Sequence, residues 1–162
     1  MFWLTKEDNN LSRSLMIYLS KGFIALIDLE DAHHLGHKKW CVDSGGYVIN
    51  GRRRLHRVVL GITDAKVSID HINGDKLDNR KSNLRIVTAS QNQMNAKKRC
   101  KGTSKYKGVS WNSTFLKWNA VVYKNKKAVF CRYFKTEDEA AKAYNAAALT
   151  HFGEYARLNE VV

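Results

Sequence analysis

Residues 97–107 (Lys-Lys-Arg-Cys-Lys-Gly-Thr-Ser-Lys-Tyr-Lys) are basic and nearly without apolar content, and they separate two stretches that each carry their own apolar pattern. A segment of this kind contributes little to a hydrophobic core, so it reads as a linker, or more plainly as a solvated surface loop. The chain has 162 residues, which is enough for two small domains of one core each. Residues 1–98 therefore form one expected domain, 99–105 a basic linker, and 106–162 a second domain.

The first stretch has two textures. Phe23-Ile24-Ala25-Leu26-Ile27, within Tyr18–Leu29, is an apolar run short enough for a buried strand, and Gly45-Gly46 marks a turn. Arg52 to Leu60 reads as a basic strand with an apolar end, and Glu30–Lys39 suits a short helix. Beyond them, Val67–Asp70 predicts a strand, Asn73-Gly74-Asp75 a turn, and Leu84–Val87 a second strand. Thr88 then caps a helix that runs to about Lys98. The second stretch predicts three strands, Tyr106–Trp111, Lys117–Tyr123 and Lys127–Phe134, with turns at 112–116 and 124–126. Thr136 and Glu139 match a capping box, and the helix that follows lines up Ala140, Ala143, Tyr144, Ala147 and Ala148 for close packing on a sheet. Trp118 and Phe134 read as core, and Trp111 as either core or contact.

Charge narrows the partner. With 28 Lys and Arg against 15 Asp and Glu, the net charge is +13, a field that attracts polyanions. Nucleic acid is the leading partner, ahead of anionic membranes or heparin. No apolar run approaches the roughly 20 residues of a membrane-spanning helix, and Met1–Asp8 lacks the apolar core of a signal peptide. The expectation is a cytoplasmic protein with no obligate protein partner and a monomeric state. Cys41, Cys100 and Cys131 are widely spaced, fitting neither a disulfide framework nor a four-cysteine zinc site; each reads as a small buried or half-buried residue.

Residues 70–92 concentrate the side chains that phosphodiester hydrolysis uses: Asp70-His71, Asn73, Asp75, Asp78-Asn79, Asn83 and Asn92. A neutral imidazole can take a proton from water. Oxygen ligands suit a hard ion such as Mg²⁺ or Mn²⁺, which keeps most of its waters and needs one or two protein ligands. Asp70 supplies a carboxylate, and Asn92 a carbonyl oxygen if its helix packs across the hairpin. A calcium loop over Asp70–Asp78 fits less well, because glycine falls at the fifth position and no Glu closes the loop. Asp70 and His71 are neighbours on a strand and can serve one site only if the strand ends or twists there.

In Ile69-Asp70-His71-Ile72-Asn73-Gly74-Asp75, Asp78-Asn79, Ser82–Thr88 and Gln91-Asn92 the chain resembles the HNH homing endonucleases of bacteriophages. The likeness extends upstream through Lys21–Asp28, Lys39-Trp40 and Leu55-His56-Arg57. It implies a ββα-metal fold, with His71 as general base, Asp70 and Asn92 as ligands of one divalent ion, and Asn83 holding the hairpin so that His71 is aimed. The implied activity is metal-dependent, site-directed cleavage of DNA leaving 5′-phosphate and 3′-hydroxyl ends. His33, His34, His37, His56 and His151 have no matching ligand set and read as structural or DNA-proximal.

Residues 104–159 resemble the DNA-binding domain of plant ethylene-response and Apetala transcription factors, through Tyr106–Val109, Lys117–Ala120, Phe134–Thr136, Glu139–Asn145, Ala147-Ala148, Gly153 and Leu158-Asn159. That likeness implies a three-stranded antiparallel sheet packed on one helix, the whole chain being of the α+β class, with the sheet entering the major groove. Matching positions nominate Lys107, Asn112, Lys117, Tyr123 and Phe130 for the DNA-facing surface, with Arg132 beside them. Ser110, Val121 and Ala128 stand where the plant domains carry Arg, Glu and Arg, and Arg132 where they carry Gly, so the plant target sequence does not carry over. Arg52, Arg53 and Arg54 form a further basic cluster, suited to phosphate contacts or to a solvated hairpin edge. Two rival functions are a non-cleaving, sequence-specific DNA-binding regulator, which has no need of the Asp70, His71 and Asn92 set, and a non-specific nuclease, which leaves the C-terminal module unexplained.

Overall fold

The computed structural model describes residues 14–36, 39–98 and 102–161. The opening octapeptide, His37 and Cys100 lie outside them. The chain divides into two compact units, residues 1–88 and 89–162.

In the first unit, β1 (Ser14–Tyr18) and β2 (Ile24–Asp28) form an antiparallel hairpin. The chain reverses at Lys21 and Gly22, both at positive φ, and β2 is the strand expected at Phe23–Ile27. A 3-10 helix over Leu29–His34 stands where a helix over 30–39 was expected. Strands β3 (Cys41–Val42), β4 (Val48–Asn50) and β5 (Arg53–Arg54) make a small sheet in that order. Helix α1 (Leu55–Val59) follows at once, which corrects the strand expected over 52–60. Leu55, His56 and Val59 are its buried residues, and their i, i+1, i+4 spacing is a helical one. Strands β6 (Ser68–His71) and β7 (Leu84–Val87) close the unit as an antiparallel pair. One core, which includes Leu15, Ile17, Ala25, Ile27, Trp40, Val48, Leu55 and Leu84, lies beneath all of these.

The second unit begins with α2 (Ala89–Asn95). Met94 packs on the core of that unit, and its carbonyl accepts a hydrogen bond from the Lys107 ammonium. Strands β8 (Val109–Asn112), β9 (Lys117–Lys124) and β10 (Lys127–Phe134) form one antiparallel sheet with β9 in the middle. Helix α3 (Glu137–Phe152) packs on it through Ala140, Ala141, Tyr144, Ala147 and Ala148. The Thr136 hydroxyl accepts from the Glu139 amide and the Glu139 carboxylate from the Thr136 amide, each at 3.2 Å, which is the expected capping box. Alanines on α3 let the helix approach so closely that a Cβ on Gly108 would lie 2.0 Å from the Tyr144 ring. Trp118 and Phe134 pack on this core as expected, and Trp111 is partly exposed, edge-on to Trp118. Cys41 is half-buried, whereas Cys131 is exposed. The chain is of mixed α and β type, with small antiparallel sheets.

Candidate active site

The loop from Ile72 to Asn83 joins β6 to β7, and its own polar side chains hold its shape. Asn73 Oδ1 accepts from the Asp75 amide at 2.7 Å, and Asp75 Oδ1 from the Leu77 amide at 2.9 Å. These are Asx turns, for which Asn and Asp are suited. Asn83 ties the loop across its base: its amide donates to the Asp78 carbonyl at 2.8 Å, and its Oδ1 accepts from the Asn73 amide at 3.0 Å. The loop is also stitched to β2, through Leu26 N to Leu77 O (2.9 Å) and Asn79 N to Leu26 O (2.7 Å). Asn79 is fully buried and bonds back to the Leu77 carbonyl at 3.0 Å, a turn-stabilising place. Lys81 adds a second anchor, with its amide on Asp28 and its ammonium on Glu30 and the buried Asp31.

Strand β6 ends at His71, whose carbonyl accepts from the Gly74 amide at 2.8 Å. The condition for Asp70 and His71 to serve one site, a strand that stops at that pair, is therefore met. Both are buried. Asp70 lies directly across from Arg85 in the register, and Nε and Nη2 of that guanidinium reach its Oδ2 at 3.0 and 2.8 Å. The pair fixes the orientation of the carboxylate. On the His71 side stand two rings that sequence reasoning did not assign to the site. His56 lies edge-on with centroids 5.1 Å apart, and Tyr47 is 6.2 Å away and 5.5 Å from His56. Arg54 and Lys76 lie over the Tyr47 ring at 4.5 and 4.2 Å, so the ring cluster carries a basic rim.

Burial lowers the pKa of His71 below the ordinary imidazole value, while Asn79, Asp70, Asp75 and Asp78 pull it back up. The ring is consequently neutral at physiological pH and able to accept a proton. His56 is pushed down to about 3, first by burial and then by His71, Arg54 and Arg57. Two adjacent buried imidazoles in a basic protein stay neutral for that reason.

Among the described residues no group of three or more His, Cys, Asp or Glu side chains converges, so a site built from three or four such ligands, as for zinc, does not fit there. The donor set does fit a hard ion held mainly through its waters, for which one fixed carboxylate such as Asp70 is a sufficient anchor. Asn92 is exposed on α2, within the second unit.

The nominated DNA-contact residues fall in several places. Arg52, Arg53 and Arg54 are exposed, the latter two on edge strand β5. Lys117 and Tyr123 are exposed on the face of β9 turned away from α3, opposite in parity to buried Ala120 and Val122. Asn112 spends its Oδ1 on the Thr114 and Phe115 amides, and Lys107 is half-buried against the Met94 carbonyl. Phe130 and Arg132 do not join Lys117 and Tyr123. A bulge between Ala128 and Phe130 sets Phe130 opposite Val122 and Arg132 opposite Ala120, on the side that carries α3. One extra residue flips every later side chain to the other face, so Cys131 and Tyr133 take the outer positions.

With this hairpin, its buried imidazole and its Arg-held carboxylate in place, similarity to known proteins gives the class. Residues 53–94 match the family described as HNH endonuclease. An uncharacterized HNH endonuclease of Acanthamoeba polyphaga mimivirus is 32% identical over 149 residues, covering 87% of this chain and 77% of that protein. The chain belongs to the HNH endonucleases and is a DNA nuclease. No solved structure is a significant match.

Proposed function

We propose that this nuclease is a metal-dependent, site-directed endonuclease of the homing type, cutting double-stranded DNA to leave 5′-phosphate and 3′-hydroxyl ends. The observation that carries this reading is His71: a buried, neutral imidazole at the end of β6, next to a carboxylate oriented by Arg85. His71 acts as general base, taking the proton of the attacking water. Asp70 and Asn92 would hold one Mg²⁺ or Mn²⁺ ion, which supplies Lewis-acid stabilisation of the charge developing on the phosphate and leaving oxygen. Asn83 keeps the loop closed, so that the end of β6 holds its aim. Cutting is assigned to residues 1–98, and site choice to residues 106–162 beyond the basic linker, with Lys117 and Tyr123 the best-supported sheet contacts and Arg52, Arg53 and Arg54 on phosphates. The likeness of the second unit to Apetala-type domains is supported by its three strands, its capped helix and its alanine-lined packing. No helix of the described residues is long and apolar enough to cross a membrane.

The test is cleavage of supercoiled plasmid and of DNA from the protein's own source with Mg²⁺, Mn²⁺ or EDTA, wild type against His71→Ala. Discrete fragments that need metal and vanish in the variant are expected. Tight binding with no cutting under any metal would instead favour a regulator that has kept the fold and lost the chemistry.

A further inference from the structure

The positive charge of the second unit is unevenly placed. On the face of the sheet turned away from α3, the positions in register carry a single cation, Lys117. By contrast, Lys97, Lys98, Lys105, Lys107 and Arg157 line a single groove of about 320 Å³ in which Glu160 is the one lining carboxylate. Glu137, which accepts from the Ser104 hydroxyl and the Lys105 amide, and Asp138, which accepts from the Tyr106 hydroxyl, stand close enough to favour the charged form of Lys105. Lys98 and Lys107 donate to neutral carbonyls, of Ser104 and Met94, which position an ammonium without cancelling its charge. Burial first, and then the nearby Arg157, push the Lys107 ammonium down to about 8.

The geometry points to this groove as a clamp for the phosphate backbone of duplex DNA, supplying most of the electrostatic affinity of the second unit from a surface other than the sheet. The proposal rests on the DNA-acting reading above. The groove is too small for a duplex and too polar for an apolar ligand, but one sugar-phosphate strand can enter it while the exposed Lys97 and Lys105 flank the opening. Such contacts position the protein and carry no sequence information, whereas Lys117 and Tyr123 on the sheet remain free to read bases.

Full-length protein is titrated in EDTA with a fluorescein-labelled duplex of random sequence, and anisotropy is read across a salt series. Each phosphate contact adds about 0.9 to the steepness with which log K falls against log salt. The triple variant Lys97→Gln, Lys105→Gln, Arg157→Gln should lower it by about 2 to 3, with affinity near 0.1 M salt falling on the order of a hundredfold. Lys97→Gln alone, on an exposed side chain that cannot compromise folding, should lower it by about 0.9. The charge-matched control Lys124→Gln, Lys127→Gln, Lys142→Gln, at exposed positions, should cost about one or less. An unchanged slope in both groove variants, or an equal or larger fall in the control, overturns the clamp while DNA binding stands. Wild type that binds no duplex overturns the DNA reading itself, and the clamp with it.

Discussion

Replacing Asn83 by Ala tests whether one buried amide holds the loop between β6 and β7 in place. The side chain makes two hydrogen bonds across the base of the loop, at 2.8 Å to the Asp78 carbonyl and 3.0 Å from the Asn73 amide. Their losses are unequal. Asp78 is buried, so its carbonyl is stranded without water, at about 1–3 kcal/mol. Asn73 is exposed, so its amide is rehydrated and only the net value of a hydrogen bond goes, about 0.5–1.5 kcal/mol. The sum is about 1.5–4.5 kcal/mol, whose midpoint for a unit of this size lowers its melting temperature by roughly 15 °C. Calorimetry of the full chain measures it, with Asn73→Ala, at an exposed position, as a milder comparison. Cleavage should follow through kcat with KM for DNA little changed, because the substitution disturbs the aim of His71 and removes no contact with substrate. A melting shift under about 4 °C together with unchanged kcat would refute the argument that Asn83 is a staple.

The other expected outcomes concern a proton and a glycine. His56 sits near 3 when folded against an ordinary value of 6.5, so above pH 6.5 it contributes nothing, and below it the unfolded chain gains a proton that the folded one refuses. Stability of the first unit should fall by roughly 1.4 kcal/mol per pH unit between 6.5 and about 3 on this account alone. His56→Phe should then lose about 2 kcal/mol less between pH 7 and 5 than wild type, read from hydrogen exchange of first-unit amides; equal losses would show that His56 is not the group responsible. Gly108→Ala should destabilise the second unit by about 3 kcal/mol or more, since a left-handed backbone strain of about 1–2 kcal/mol adds to overpacking. The φ of +71° and the Tyr144 ring 2.0 Å from the new Cβ leave no relaxed alternative, and a melting temperature within a few degrees of wild type would contradict the packing described.

What could be read from the residues was local. The β7 boundaries, the capping box at Thr136 and the three strands of the second unit all follow from period, turn chemistry and caps, each decided within a few residues. Helix α1 was missed because Arg52–Leu60 ends in a short apolar run, and a run of that length does not separate a strand from one buried helical turn. The bulge at Ala128–Phe130 has no glycine to announce it, yet it decides which face Phe130 and Arg132 occupy.

The site divides along the same line. Of the candidate site, Asp70, His71 and Asn83 could be nominated from the residues because motif and loop lie within one short stretch of chain, where Asn and Asp act on their own neighbourhood. Tyr47 and His56 were not, since they reach His71 only when β4, α1 and the end of β6 share a core. Arg85 lay between these cases: it was visible in the motif, but its pairing with Asp70 depends on register across a loop too long to set it by turn type. A register one residue out would bring Leu84 or Ile86 across from Asp70 and leave a buried carboxylate without its guanidinium, which costs far more than a buried pair gains. The ion pair is therefore part of what selects the register, and through the register it settles where His71 stands when β6 ends.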